Sequence, residues 1–443
     1  MIPGLSDDAV LDTAMHFLNS FEKPGRLLVA VSGGSDSTGL LLALAKAAAE
    51  SAFSLSACTI DHALRPGSAS EADAVAALCQ RLGIAHTVRR WEGEKPRTGI
   101  MAAARLARYR LLSDAAQEAD ALCVVTGHTL DDQHETLAMR RERTTDPRSP
   151  GLSGMADAVL FERRCWVLRP CLELERAEIR NFLVRAGEGW SDDPSNSNNA
   201  FERVRVRELL AGSGRNGRPA GTAVERGRAS QRIAGLLAEH VVVHGGLAAE
   251  IGPGLFQKAG DPDCLRAILM LAAVLGGRAY PAGGDTAQRV RAFLNSGEES
   301  RITAARVVFD RRRGGLYLYR EARGLAALTL APGETGIWDG RWAVDNRSGR
   351  SAVVSAPADM RPVAAALAAG GLAEPIAKRA ATSALQVSQD GLPVSPEAAN
   401  IGVECHLAAY DTFLPGFDRI MANQIAFFFA RSSYPAPPCL LFG

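Results

Sequence analysis

The sequence predicts an α/β fold, a Rossmann-like doubly wound parallel sheet followed by a helical middle region and a small α+β C-terminal domain. Three observations support this. Short runs rich in Val, Ile and Thr at 27–32, 55–61, 86–91 and 121–127 alternate with helical patterns at 38–51, 69–82 and 99–119, the signature of strand–helix–strand units. Polar, glycine-bearing segments follow the first, second and fourth of these strands: SGGSDS at 32–37, DHALR at 61–65 and TGHTLDDQHET at 126–136. Right-handed crossovers place all the strand C-termini on one edge, where sheets of this kind bind ligands. From about 230 to 310 the pattern is mainly helical, and from Gly315 it turns to short strands with turn signals, as in LYLYR and IWDGRWAVDN. The expected divisions are 1–190, 191–320 and 321–443.

At 443 residues the chain is long enough for about three domains. The hydrophobic share of 47%, the charged share of 22% and the net charge of +1 describe a globular protein with no overall bias toward a polyanion, so any such partner must be met by local patches. Of the 50 basic residues, 45 are Arg; that suits bidentate phosphate recognition but also follows from a GC-rich genome. The apolar stretches fall short of the roughly 20 residues of a membrane span, and the N-terminus lacks a basic region followed by an apolar core. Eight cysteines are scattered without a CxxC pair, which reads as reduced thiols in a cytoplasmic protein.

The first loop carries the strongest chemical signal. In Ser32, Gly33, Gly34, Ser35, Asp36 and Ser37 the paired glycines permit a tight turn. Backbone N–H groups, three hydroxyls and a helix N-terminus can then face an anion. The loop has no Lys and is not the GxxxxGK[ST] loop. Asp36 would repel a phosphate unless Mg2+ stood between them, and Asp132 is the second candidate for that metal. Asp131 and Glu135 either hold a substrate amine or are carboxylates favoured by a helix N-terminus. Arg203, Arg205 and Arg207 open a stretch, 203–232, with eight Arg and two acids. Phosphate contact and a solvated surface both explain it. The same two readings hold for Arg311, Arg312 and Arg313. His240 and His244 have metal spacing but no ligand partners in sequence.

Taken together, SGGSDS, DHALRPGS at 61–68, ARLARY at 104–109 and TGHTLDDQHET resemble the PP-loop ATP pyrophosphatase superfamily. Within it the chain resembles the bacterial tRNA(Ile)-lysidine synthetase family, with GLSGM at 151–155, LRP at 168–170, DDPSN at 192–196 and RVRVR at 203–207 in support. The ordered set covers 27–207, under half the chain. It departs from the family at 140–150, where RRERTTDPRSP replaces an Arg-Gly-Ser-like turn. The resemblance implies an ATP-dependent ligase using Mg2+. AMP is transferred to the C2 oxygen of the wobble cytidine of an isoleucine tRNA with a CAU anticodon. The ε-amine of free lysine then displaces it. Matched to the motifs, Asp36, Arg108, His128 and Asp132 are the catalytic candidates. Residues 32–37 with Asp61, His62 and Arg65 would hold ATP, and Arg203, Arg205 and Arg207 the tRNA. Arg105 lies one helical turn from Arg108 and is the weaker arginine. The family also implies a homodimer and no membrane partner. Two alternatives stay open at this point, a PP-loop tRNA thiolase and a non-catalytic nucleotide sensor.

Overall fold

The computed structural model describes residues 8–63, 68–142, 150–191, 206 and 222–440. The chain divides into two compact units, 1–226 with 415–417 and 435–443, and 227–414 with 418–434.

In the first unit, helix α1 (Ala9–Asn19) precedes β1 (Arg26–Ala30), α2 (Ser35–Ala48), β2 (Ser54–Asp61), α3 (Ser68–Arg81), β3 (Ala85–Arg90), α4 (Ile100–Glu118), β4 (Ala121–Thr126), α5 (Leu130–Arg141), β5 (Ala158–Phe161), β6 (Cys165–Leu168) and α6 (Arg176–Arg185). These strands lie in the order β5-β6-β4-β1-β2-β3. All pairings are parallel except the β5–β6 hairpin. Leu27, Leu28 and Val29 are all buried, because a central parallel strand is covered on both faces and needs a continuous apolar run. From β1 the chain moves outward through β2 and β3, then returns through α4 to place β4 on the other side of β1. The strand order therefore reverses between β1 and β4, and a crevice opens beyond their ends.

Helix α2 is buried along Ser37–Leu44 and packs against α1, β2 and α6. Gly39 is required there, since a Cβ would overlap the Ile179 side chain on α6. The alternation predicted for 27–127 matches the observed strands and helices. The main difference is that α2 begins at Ser35 and not at Thr38: Ser and Asp do not register in an apolar pattern, yet they suit a helix's first turn.

In the second unit, helices Thr222–His240, Pro262–Leu275 and Gly284–Asn295 accompany an antiparallel sheet built from β7 (Val241–His244), β8 (Ala248–Ile251), β9 (Arg301–Ala304), β10 (Val307–Arg312) and β11 (Gly315–Arg320), in the order β7-β8-β11-β10-β9. Strands β7 and β8 are four residues each and follow a helix directly, so periodicity alone merges them with it. Further on, the hairpin of Thr335–Trp338 and Trp342–Asn346 turns through Asp339 and Gly340, both at positive φ. A Cβ on Gly340 would strike the Gly277 carbonyl. The buried Asp339 carboxylate accepts from Arg306, from Arg320 at 3.0 Å and from Arg341 at 2.6 Å. Arg311 reaches the Leu294 carbonyl at 2.5 Å and Arg312 pairs with Asp310 at 3.1 Å, so both are engaged inside this unit.

Asp411 is a second buried carboxylate. It accepts from the Leu407 N–H at 2.8 Å, the Tyr434 hydroxyl at 2.7 Å and His406 Nδ1 at 3.3 Å. Burial alone would raise its pKa; the His406 and Tyr434 hydrogen bonds outweigh that and lower it from 3.8 to about 2. A depressed carboxyl pKa stabilises the fold above the unfolded value and ceases to do so as pH falls through the folded one. Asp411→Asn is therefore expected to cost about 2 kcal/mol at pH 7. It should also flatten the loss of stability between pH 3.8 and about 2, as read by urea unfolding followed through tryptophan emission. An unchanged pH dependence would contradict this.

Candidate active site

The phosphate-loop candidate occupies the end of β1. The Val31 N–H continues the β1–β2 ladder to Cys58 O at 2.9 Å. The chain then turns through Gly33 at φ 87° and Gly34, an extended N-cap with no side-chain cap on α2. A 14-residue helix whose first-turn N–H groups are not capped by a side chain is an anion site in waiting. Ser37 pins the loop from within: its hydroxyl accepts from Ser32 N–H at 3.1 Å and donates to Gly34 O at 3.2 Å. Asp36 sits in the first turn of α2 and takes a hydrogen bond from Ser35 Oγ at 3.0 Å.

The end of β4 forms the opposite wall. Gly127 makes this possible, because a Cβ there would lie 2.6 Å from the Asp36 carbonyl oxygen and 2.8 Å from its carbon. His128 Nδ1 and Thr126 Oγ1 are 2.9 Å apart. Asp132 closes the start of α5, with Oδ2 accepting from Thr129 N–H at 2.9 Å and Thr129 Oγ1 at 3.1 Å. Gln133, one residue on, clamps Met155 in both directions, at 2.6 Å and 3.0 Å. That explains the placement of the GLSGM segment.

The groups of the two walls meet on Arg176, which the sequence reading did not single out. Its Nε lies 2.9 Å from Asp36 Oδ2, its Nη2 3.5 Å from Asp132 Oδ1 and its Nη1 3.8 Å from Glu135 Oε1. Its backbone N–H donates to Asp131 Oδ2 at 2.8 Å, so Asp131 acts at the N-terminus of α6. Burial raises the Asp36 pKa; Arg176 opposes this, and the nearby Asp132 charge adds to it. The three carboxylates drive the Arg176 pKa upward against its own desolvation. One turn along α6, Arg180 points its Nε at Ser35 Oγ, 3.4 Å away, and lies over the Trp190 ring. Ser191 N–H then donates to Gly33 O at 2.9 Å. The available signal was the i, i+4 spacing of Arg176 and Arg180 on either side of the core residue Ile179, but 45 arginines in one chain hide two.

A second group surrounds the end of β2. Asp61 Oδ1 accepts from Ala63 N–H at 2.8 Å, and its carbonyl takes the Trp91 N–H at 2.8 Å. The His62 ring meets Trp91 edge-on at 6.3 Å. Burial lowers the His62 pKa, and the Arg108 charge lowers it further, so Arg108 and His62 face the same space. Arg105 and Arg108 both lie over the ring of Tyr109, at 5.1 Å and 5.3 Å. The Tyr109 hydroxyl accepts from Arg169 Nη2 at 3.1 Å. Burial pushes the Tyr109 pKa up, but Arg169, Arg108 and Arg105 together bring it down to about 7.

The structure thus brings residues 32–37 together with Asp132, and sets Asp61, His62 and Arg108 around the neighbouring strand end. Arg65, Arg203, Arg205 and Arg207 lie outside the described residues, as do Arg215, Arg218 and the segments 143–149 and 192–205. Of the later arginines, Arg226 stacks on Phe417 at 5.1 Å, and Arg232 pairs with Asp263 at 2.6 Å. His244 pairs with Glu250 at 3.4 Å. Among the described residues no cluster of three or more His, Cys, Asp or Glu is arranged for a metal, and no helix is long and apolar enough to cross a membrane.

Residues 8–212 match the family model of the PP-loop domain. Over nearly its whole length the chain is similar to curated tRNA(Ile)-lysidine synthases. That of Rhizobium meliloti (strain 1021) is 52% identical over 441 residues, covering 97% of each chain. The protein of Mesorhizobium japonicum is 39% identical, covering 93% of this chain and 94% of that one. The Brucella ovis protein is 35% identical, covering 90% and 93%.

The backbone contact at Gly127 yields a direct test. In Gly127→Ala the new methyl group must push the start of α2 away from β4, since it meets main-chain atoms that cannot rotate aside. The expected result is a folded protein whose ATP affinity by calorimetry falls by about tenfold or more. Unchanged affinity would mean that the two walls can separate without consequence.

Proposed function

The chain belongs to the tRNA(Ile)-lysidine synthase family, and we propose that it joins free L-lysine to C2 of the wobble cytidine in an isoleucine tRNA with a CAU anticodon. The observation that carries this reading is the meeting of the phosphate-loop carboxylate Asp36 and the α5 carboxylate Asp132 on one guanidinium at the switch point.

ATP binds with its phosphates against residues 32–37 and the positive end of α2, where uncapped N–H groups offset their charge. Asp61, His62 and Arg65 hold the rest of the nucleotide. The cytidine C2 oxygen attacks the α-phosphorus and pyrophosphate leaves. The ε-amine of lysine then attacks C2, AMP departs with the oxygen, and the amine gives up a proton. Lysine's side chain has a pKa near 10.4, so presenting the neutral amine at neutral pH costs about 4 kcal/mol. A carboxylate beside the amine serves that transfer. Asp132 fits it, since only one of its oxygens is taken by the helix cap. Arg108 and His128 act beside the α-phosphate.

Asp36 and Asp132 are also the residues that would hold Mg2+. Both present hard oxygens and both reach a single cation, and Mg2+ characteristically completes its shell with phosphate and water. When bound it would neutralise phosphate charge. Arg203, Arg205 and Arg207 contact the tRNA backbone. Residues 1–190 form the catalytic domain, 191–320 a tRNA-contacting middle domain and 321–443 a recognition domain. ATP and tRNA as substrates place the reaction in the cytoplasm.

Thiolation is the rival chemistry, and it needs a reactive thiolate. Seven of the eight cysteines are buried and the eighth is half-buried. Burial raises the thiols of Cys79 and Cys405 to about 11 and those of Cys171 and Cys439 to about 12. These are poor nucleophiles at neutral pH.

Labelled lysine should enter a CAU-anticodon isoleucine tRNA transcript when ATP and Mg2+ are supplied. Asp36→Asn should abolish it, with a loss of about 1,000-fold. AMP and pyrophosphate formed without lysine transfer would refute the assigned nucleophile, and ATP binding without AMP formation would leave only a nucleotide sensor.

A further inference from the structure

We propose that Arg176 is a positioning residue for both halves of the reaction, fixing Asp36 of the phosphate loop and Asp132 of α5 relative to one another. The inference rests on the lysine-ligase reading above and adds a residue to it. Arg176 is the first residue of α6, and α6 is locked to the site independently of its side chain. The Arg176 N–H is held by Asp131, Leu130 N–H donates to Leu174 O at 2.9 Å, and Ile179 packs where Gly39 leaves room. The guanidinium therefore projects from a fixed base. Its three nitrogens each address a different carboxylate, two from α5 and one from α2.

The charge count points the same way. Asp36, Asp132 and Glu135 bring three negative charges to a crevice that must also accept a triphosphate, and Glu135 is only 2% exposed. Without a cation these groups would repel each other and the nucleotide. Arg176 offsets one charge and leaves the set net negative, which suits a site that must also receive a cationic amine. The planar fork sets the angle between Asp36 and Asp132 in a way that a diffusible ion would not. Helix capping does not explain the arrangement, because Asp132 caps α5 through Oδ2 while it is Oδ1 that faces Arg176.

The test compares Arg176→Gln, Arg176→Lys and, as a control on an exposed turn of the same helix, Arg185→Gln, all in the full-length chain. Pyrophosphate release and lysine transfer are measured separately, with KM for ATP and for lysine, alongside melting curves. For Arg176→Gln the expected result is a fall of about 100-fold in kcat for both steps, with KM for ATP within about threefold of wild type. Arg176→Lys should recover about tenfold of that loss, because an ammonium keeps the charge and loses the fork. Arg185→Gln should match wild type.

A purely structural ion pair predicts otherwise: equal loss in the Gln and Lys variants that tracks their melting temperatures, or a change confined to KM. Either result overturns the proposal, as does a kcat within about threefold of wild type. If Arg176→Gln does not fold, Arg176→Lys decides alone, with a kcat about tenfold below wild type expected and wild-type kcat refuting. If the wild-type protein releases pyrophosphate but joins no lysine, the assigned product is wrong, while the comparison on pyrophosphate release still judges Arg176.

Discussion

Carboxylates and phosphates do not share a crevice unless a positive charge stands among them, and the first unit is organised around that constraint. Its solution is Arg176, held at 2.9 Å from Asp36 and within ion-pair reach of Asp132 and Glu135. Neither carboxylate-bearing helix supplies this cation. It comes from α6, more than 40 residues beyond α5 in sequence and packed on α2 through Ile179 and Gly39. The packing of an apolar side chain against a glycine thus decides where a charge is delivered.

Backbone approach is the second requirement. The uncapped start of α2 attracts anions only if the opposite wall comes close without filling the space, and Gly127 provides this by lacking the atom that would collide with the Asp36 main chain. The reversal of strand order between β1 and β4 brings these two segments side by side. A neighbouring strand end adds Asp61 and His62, and α4 adds Arg108 above the buried ring of Tyr109. Three arginines around that ring outweigh its desolvation, so the wall beside the nucleotide is strongly electropositive while the α2–α5 wall carries the acids. Such a division suits a reaction that stabilises a phosphate on one side and relieves an amine of its proton on the other.

The second unit uses the same interactions for a different end. Asp339 gathers Arg306, Arg320 and Arg341, and Asp411 gathers His406 and Tyr434. Here the carboxylates are closed in by their own partners and tie turns to strands. Buried ion pairs of this kind specify one arrangement at the cost of desolvation. Similar residue types therefore build a structural knot in one unit and a reaction crevice in the other. The difference lies in whether a sheet edge leaves room beside them.

The sequence by itself determined the parallel sheet and the edge that carries chemistry. Strand and helix periods are local properties, and SGGSDS and TGHTLDDQHET announce themselves by residue types that a buried strand cannot hold. It also determined the family, because an ordered set of motifs is far more specific than any one of them. What it left undecided were contacts between segments remote in the chain: that α2 begins at Ser35, that Gly127 touches Asp36, and that the acids converge on Arg176. Short strands such as β7 and β8 were hidden for a related reason, since four residues cannot establish a period. Tertiary structure decided these points because burial and Coulomb attraction act through space, and one arginine among 45 acquires its meaning only from the carboxylates that packing places around it.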